Sequence, residues 1–144
     1  IMKTIFASFL LILSACSMNT TSEINTIKQV LHTQQACWNN GDIDAFMLGY
    51  WQSDSLTFAS KNGVTKGWNA TLKHYKAAYP TKASMGILQF KIIDVKLQNS
   101  TTASLDGQWE LIRENDHPRG SFTLTFNKID GQWLIIKDYT TLDE

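Results

Sequence analysis

Apolar and polar positions along the chain fall into three regimes, each predicting different elements. The first is a nearly unbroken apolar run from Ile5 to Leu13, interrupted only by Ser8 and ending in Ser14-Ala15-Cys16. The second has helical spacing. Ile24, Ile27, Leu31, Gln34 and Trp38 share one face over residues 23–40, and Val30 and Cys37 widen the stripe. Thr21 or Ser22 is the expected cap of this helix, Glu23 complements its dipole, and Asn39-Asn40-Gly41 is the expected stop. Asp42 is placed to cap a shorter helix running from Ile43 to about Tyr50. Residues 55–59 alternate as a strand, and Lys61-Asn62-Gly63 turns the chain towards a further short strand. Trp68, Leu72, Tyr75 and Tyr79 then mark a third helix over about residues 68–78, which Pro80 stops.

The third regime has a period of two. From Met85 onward the pattern predicts strands only, beginning with the alternation of Leu88, Phe90 and Ile92. The apolar phase then flips to Ile93, Val95 and Leu97, which predicts a β-bulge and a bent sheet. After a turn at 98–101, Ala103, Leu105, Gly107, Trp109, Leu111 and Arg113 share one face of a long return strand. Residues 114–120 read as a polar loop. Phe122, Leu124 and Phe126 mark the next strand, Asp130-Gly131 is a hairpin signal, and residues 133–140 form the last strand. Helices segregated from four long antiparallel strands define an α+β domain. A strongly curved antiparallel sheet wrapped around the N-terminal helices leaves a cone-shaped cavity.

Composition narrows the function classes. The 144 residues carry 13 Lys+Arg against 13 Asp+Glu and are 43% hydrophobic, so one globular domain is expected, and not a disordered chain or a protein that binds nucleic acid through its phosphates. The cysteines, Cys16 and Cys37, are too few for a disulfide scaffold, and Cys37 on the apolar helix face is expected to be a buried structural thiol. His32, His74 and His117 lack metal-ligand spacing, and the chain has no Gly-rich phosphate loop or GxSxG elbow. Neither a metal nor a cofactor is therefore expected.

The first regime has the layout of an export signal: Lys3, an apolar stretch too short to span a bilayer, then small residues. Leu13-Ser14-Ala15-Cys16 resembles the lipobox of bacterial lipoproteins. That resemblance implies cleavage before Cys16, acyl chains on its thiol and on the new amino terminus, and stable anchoring where one chain would be marginal. With Ser17 next, it further implies the periplasmic face of the outer membrane in a Gram-negative cell. The expected organisation is a signal peptide over residues 1–15, a lipidated Cys16 with a polar tether over residues 16–22, and a folded domain over residues 23–144. Removing Lys3 with the leader leaves the mature chain with one net negative charge, so contact with the membrane is expected through the lipid alone.

The folded part resembles the nuclear transport factor 2-like superfamily, in particular its SnoaL-like branch. The resemblance rests on Trp38-Asn39-Asn40-Gly41-Asp42, the stretch from Tyr50 to Phe58, and the stretch from Tyr75 to Pro80. Farther on it rests on Met85-Gly86 with Leu88 and Phe90, Gly107 with Trp109, Leu111 and Arg113, Gly120 with Phe122, and Gly131 with Trp133. It implies the cone fold over about residues 23–141. Activity is left open, because the superfamily includes isomerases, dehydratases, hydrolases and non-enzymatic binding modules. Members that isomerise ketosteroids carry a basic carboxylate at the end of the first strand, where this chain has Ala59. Many relatives end the last strand with Asp-His, where this chain has Asp138-Tyr139.

The best polar pair is Arg113 with Asp138, which could meet at the cavity mouth or could be a plain structural ion pair. With the aromatics, the expected pocket is Trp51, Phe58, Tyr75, Tyr79, Trp109, Arg113 and Asp138. The resulting reading is a lipid-anchored cell-envelope protein, homodimeric through the outer sheet face, whose pocket holds a small apolar or aromatic ligand without catalysis. The alternative is a small isomerase, dehydratase or hydrolase using Asp138 with Arg113 or a cavity tyrosine.

Overall fold

A computed structural model describes the backbone of residues 7–144 and the side chains of residues 19–144. The start of the expected leader and the Cys16 thiol lie outside the described residues. Helix α1 (Ala7–Asn39) is followed by α2 (Ile43–Met47), the hairpin β1 (Thr57–Ser60) and β2 (Gly63–Lys66), α3 (Trp68–Ala78) and α4 (Lys82–Met85). The long strands β3 (Ile87–Leu97), β4 (Thr102–Ile112), β5 (Arg119–Ile129) and β6 (Gln132–Thr140) complete the chain. Together with β1 and β2 they form one six-stranded sheet in the order β2-β1-β6-β5-β4-β3. The sheet is curved and unclosed, and it wraps the N-terminal helices as expected. Its strand pairs are antiparallel except β1 with β6, which run parallel, so the sheet is mixed where the pattern predicted a purely antiparallel one.

The structure corrects the start of α1. Residues 18–22, expected as a tether, are helical backbone, because no Gly or Pro interrupts residues 7–39. Ser22 is therefore not a cap; its carbonyl accepts the Thr26 hydroxyl within the helix at 3.0 Å. At α2 the expected cap is present, with the Asp42 carboxylate accepting the Ala45 N–H at 2.9 Å. That helix ends at Met47, short of Tyr50. Helix α4 was not legible as apolar periodicity: it is a single turn held by a reciprocal capping box between Thr81 and Ser84.

The bulge predicted by the phase flip lies between Ile92 and Asp94, and β5–β6 carries a second irregularity between Thr125 and Phe126. Side chains of α1 cover the exposed edge of β3. The Asn39 amide donates to the Leu88 carbonyl at 3.0 Å and accepts the Leu88 N–H at 2.7 Å, while Gln35 accepts the Phe90 N–H at 2.7 Å. These contacts satisfy backbone groups that an open edge would present to another strand. At its midpoint α1 is clamped by Glu23, which accepts from Lys128 Nζ at 2.6 Å and from the Trp133 indole N–H. Between the clamps Ile27 and Leu31 join Phe126 and Ile135 in the core.

Candidate functional site

Beyond Leu31, the residues of α1 that face the sheet stop filling the cone. A cavity of about 150 Å³ opens between α1, α2, α3 and the inner face of the sheet. Gln34 and Trp38 come from α1, Phe46 from α2, and His74, Tyr75, Ala78 and Tyr79 from α3. Tyr50 and Phe58 follow from the segment leading into β1 and from β1 itself. The sheet adds Leu88 and Phe90, Trp109 and Leu111, Phe122 and Leu124, and Asp138 with Thr140. Gly107 makes this possible: a side-chain carbon there would collide with the Phe122 ring, which lies across from it in the β4–β5 register.

The rings pack edge to face. Trp38 lies 5.2 Å from Phe46 and 5.0 Å from Tyr79 between centroids, and Tyr75 lies 5.3 Å from Phe46 and 5.6 Å from Phe58. Three ring-borne N–H groups near the site donate to backbone carbonyls: Trp38 to Met85 at 3.1 Å, Trp68 to Met47 at 2.9 Å and Trp109 to Thr141 at 3.1 Å. The wall is thus apolar in character although several of its residues carry polar atoms. Gln34 fits the same pattern, donating to the Phe46 carbonyl at 3.2 Å.

Asp138 is the exception. It is buried on β6, in register with Leu124 of β5 and Phe58 of β1. Its Oδ2 accepts the Tyr50 hydroxyl at 2.7 Å, and the Tyr50 and Tyr75 hydroxyls lie 3.5 Å apart. Among the described residues, Asp138 Oδ1 is the one buried side-chain polar atom without a partner. Burial pushes the Asp138 carboxyl up to about 6, and the Tyr50 hydrogen bond pulls the other way by holding the charged form. Burial and then the Asp138 charge raise the Tyr50 hydroxyl well above the ordinary phenol value, and the same two causes raise Tyr75. Both phenols therefore remain protonated donors at neutral pH. Tyr79 is raised by burial, with the Arg113 charge opposing.

The structure brings together Phe58, Tyr75, Tyr79, Trp109 and Asp138 of the expected pocket and leaves out Trp51 and Arg113. Arg113 does not pair with Asp138. Its guanidinium takes Asp116, three residues on, with Nη2 at 2.6 Å, and donates to the Ser84 carbonyl at 3.0 Å. Register explains the miss: Asp138 pairs with Leu124 and Leu124 with Leu105, far along β4 from Arg113 at about 3.3 Å per residue. Trp51 is half-buried, and its backbone N–H donates to the Ile135 carbonyl at 2.9 Å. The preceding residue, Tyr50, forms the β-bridge to Ile135 and is buried against the cavity. In an extended segment neighbouring side chains face opposite ways, so choosing Trp51 over Tyr50 was an error of one residue in phase.

Sequence reasoning also missed His74, whose ring lies 5.8 Å from Phe58 at the cavity's lip, and Gln34 and Phe46. The first two were visible as polar residues on helices predicted to face the sheet. Cys37 is half-buried and free, at the margin of the core where a fully buried thiol was expected. His117 lies outside the site, 3.0 Å from the Glu110 carboxylate.

No family model and no curated protein matches the chain. Solved structures do. An NTF-2-like protein of unknown function from Shewanella oneidensis MR-1 is 41% identical with a TM-score of 0.80, the match covering 83% of this chain and 98% of that one. A domain of unknown function with a cystatin-like fold from Nostoc punctiforme PCC 73102 is 18% identical with a TM-score of 0.73, covering 86% of this chain and 79% of that one. A ketosteroid isomerase-like protein from Erwinia carotovora atroseptica SCRI1043 is 14% identical with a TM-score of 0.71, covering 85% and 97%. The last two likenesses concern the fold alone.

Proposed function

The chain belongs to the nuclear transport factor 2-like family, and from that premise we propose that it is a binding protein of the cell envelope whose cone holds one small, mostly apolar molecule. The observation that carries this reading is the unpartnered Asp138 Oδ1 at the wall of an aromatic cavity. A buried carboxylate oxygen without a hydrogen bond is costly, and a ligand that donates to it recovers that cost while its apolar part fills the cavity. Trp38 and Trp109 line the space, so occupancy is readable in intrinsic fluorescence. Single-ring probes should change that emission, and Ala78→Trp at the exposed lip should abolish the response. If the probes leave both emission and melting temperature unchanged, the reading is wrong.

The lipobox resemblance of Leu13-Ser14-Ala15-Cys16 supports a position at a membrane. In this reading Cys16 carries the lipid and Glu23, clamped to Lys128 and Trp133, holds the domain near it. Mass spectrometry of the membrane fraction tests the anchor, and an unmodified Cys16 removes it. The homodimer is part of the same reading. Ile87 and Ile112, exposed cross-strand partners on the outer sheet face, would lie in its interface, and a monomer in sedimentation experiments would remove that element.

One observation favours a second reading, a small isomerase, dehydratase or hydrolase. The Asp138 carboxyl, at about 6, is poised for proton transfer near neutral pH, with the Tyr50 hydroxyl donating to it and the Tyr75 hydroxyl 3.5 Å beyond that of Tyr50. Turnover of a bound compound that is lost in Asp138→Asn, with binding retained, would establish this reading over the first. The SnoaL-like resemblance belongs to the same proposal.

A further inference from the structure

Three features of the cavity, taken together, select a charge type for its ligand. The first is that no Lys or Arg among the described residues pairs with Asp138. Among the described residues no Lys or Arg lines the cavity: Arg113 is held by Asp116 and Ser84, Lys76 by Asp44 and Lys128 by Glu23, while the lining residue His74 packs on Phe58 at the exposed lip. A buried carboxylate whose hydrogen bonds all come from one neutral phenol is left without a compensating charge. The second is that aromatic rings line the same cavity. Trp38, Phe46, Phe58, Tyr75, Tyr79 and Trp109 line the same space, and ring faces attract cations most strongly where water is excluded. The third is size. At about 150 Å³ the space matches the roughly 150 Å³ apolar cavity known to take up benzene, so it admits one ring or a short branched alkyl group.

We propose that the cavity receives a compact organic cation, a protonated amine on a single ring or short branched chain, with its N–H on Asp138 Oδ1 and its charge against the tyrosine and tryptophan faces. The proposal rests on the ligand-binding reading above and specifies its substrate class. A neutral alcohol would satisfy the orphan oxygen but leave the carboxylate's charge uncompensated. An anion would be repelled by Asp138, with no Lys or Arg among the described residues on the wall to offset the repulsion.

The test compares three near-isosteric probes, benzylamine, benzyl alcohol and toluene, by calorimetry and Trp fluorescence on the whole folded domain at pH 7. Benzylammonium is expected to bind about tenfold or more tighter than benzyl alcohol, the margin of a charge-assisted over a neutral hydrogen bond. In Asp138→Asn, which keeps the shape and the acceptor for Tyr50, that preference should vanish. The comparison among probes on the unmodified chain stands even if the variant folds poorly. Alcohol or toluene binding as tightly as the amine would overturn the cation proposal and leave the binding reading intact. No response to any of the three would overturn both.

Discussion

At one end of the core Ile27 and Leu31 of α1 share a fully buried cluster with Phe126 and Ile135 of the sheet, where no buried side-chain polar atom among the described residues lacks a partner. One to two helical turns farther along α1, Gln34 and Trp38 face the same strands across open space, and β6 presents Asp138 in place of an aliphatic residue. The same helix and strands thus build a packed end and an unfilled end. The packed end holds the fold, while the other carries a desolvated carboxylate and missing contacts that a core would not retain. Such local loss of stability is the physical mark of a site.

The contrast can be broken from either side. The largest expected effect is at the packed end: Phe126→Ala should cost about 3–5 kcal/mol in denaturant unfolding, as for buried aromatics generally. Loss below 1 kcal/mol would mean that the two ends are not distinct. At the unfilled end the leading effect comes from pH. The Asp138 carboxyl titrates at about 6 in the folded chain against 3.8 for its ordinary value, so between these values the folded state holds a proton that the unfolded state has released. Stability should therefore fall as pH rises from about 4 to 6, by on the order of 3 kcal/mol, and Asp138→Asn should remove that component of the slope. An unchanged pH profile in the variant would place the titration elsewhere.

Smaller effects sharpen the same picture. Tyr50→Phe removes the one hydrogen bond to the carboxylate, so it should lower stability at pH 7 by about 1–2 kcal/mol and move the Asp138 titration above 6. A downward shift would contradict the assigned bond. Smallest of all, Ala78→Trp at the exposed lip should leave stability within about 0.5 kcal/mol while closing access to the cavity. A large loss there would show that the lip is part of the packed core.

Much of the fold was legible because its signals are local. The phase flip at Ile93 marked the bulge, and Asp130-Gly131 marked the β5–β6 turn, where both residues have positive φ. Asp42 announced its own cap. The site was legible in its members but not in its pairings. Asp138 and the aromatics of α3 could be chosen by type and face, whereas the Tyr50–Asp138 bond joins residues 88 positions apart and depends on how β1 and β6 align. Arg113 shows the converse. A local partner, Asp116, captured a side chain that face-counting along β4 had assigned to the cavity. The start of α1 was missed because polar Asn and Thr residues suggest a linker, although nothing in that stretch breaks a helix.

The central claim is that Asp138 is a desolvated carboxylate facing a ligand cavity, and its own titration tests this most directly. Following the Asp138 side-chain carboxyl carbon by NMR against pH, the account predicts a midpoint near 6 in the ligand-free chain and a fall in that midpoint when benzylamine is added. A midpoint at or below 4, unmoved by the amine, would show a solvated or already compensated carboxylate and would contradict the account.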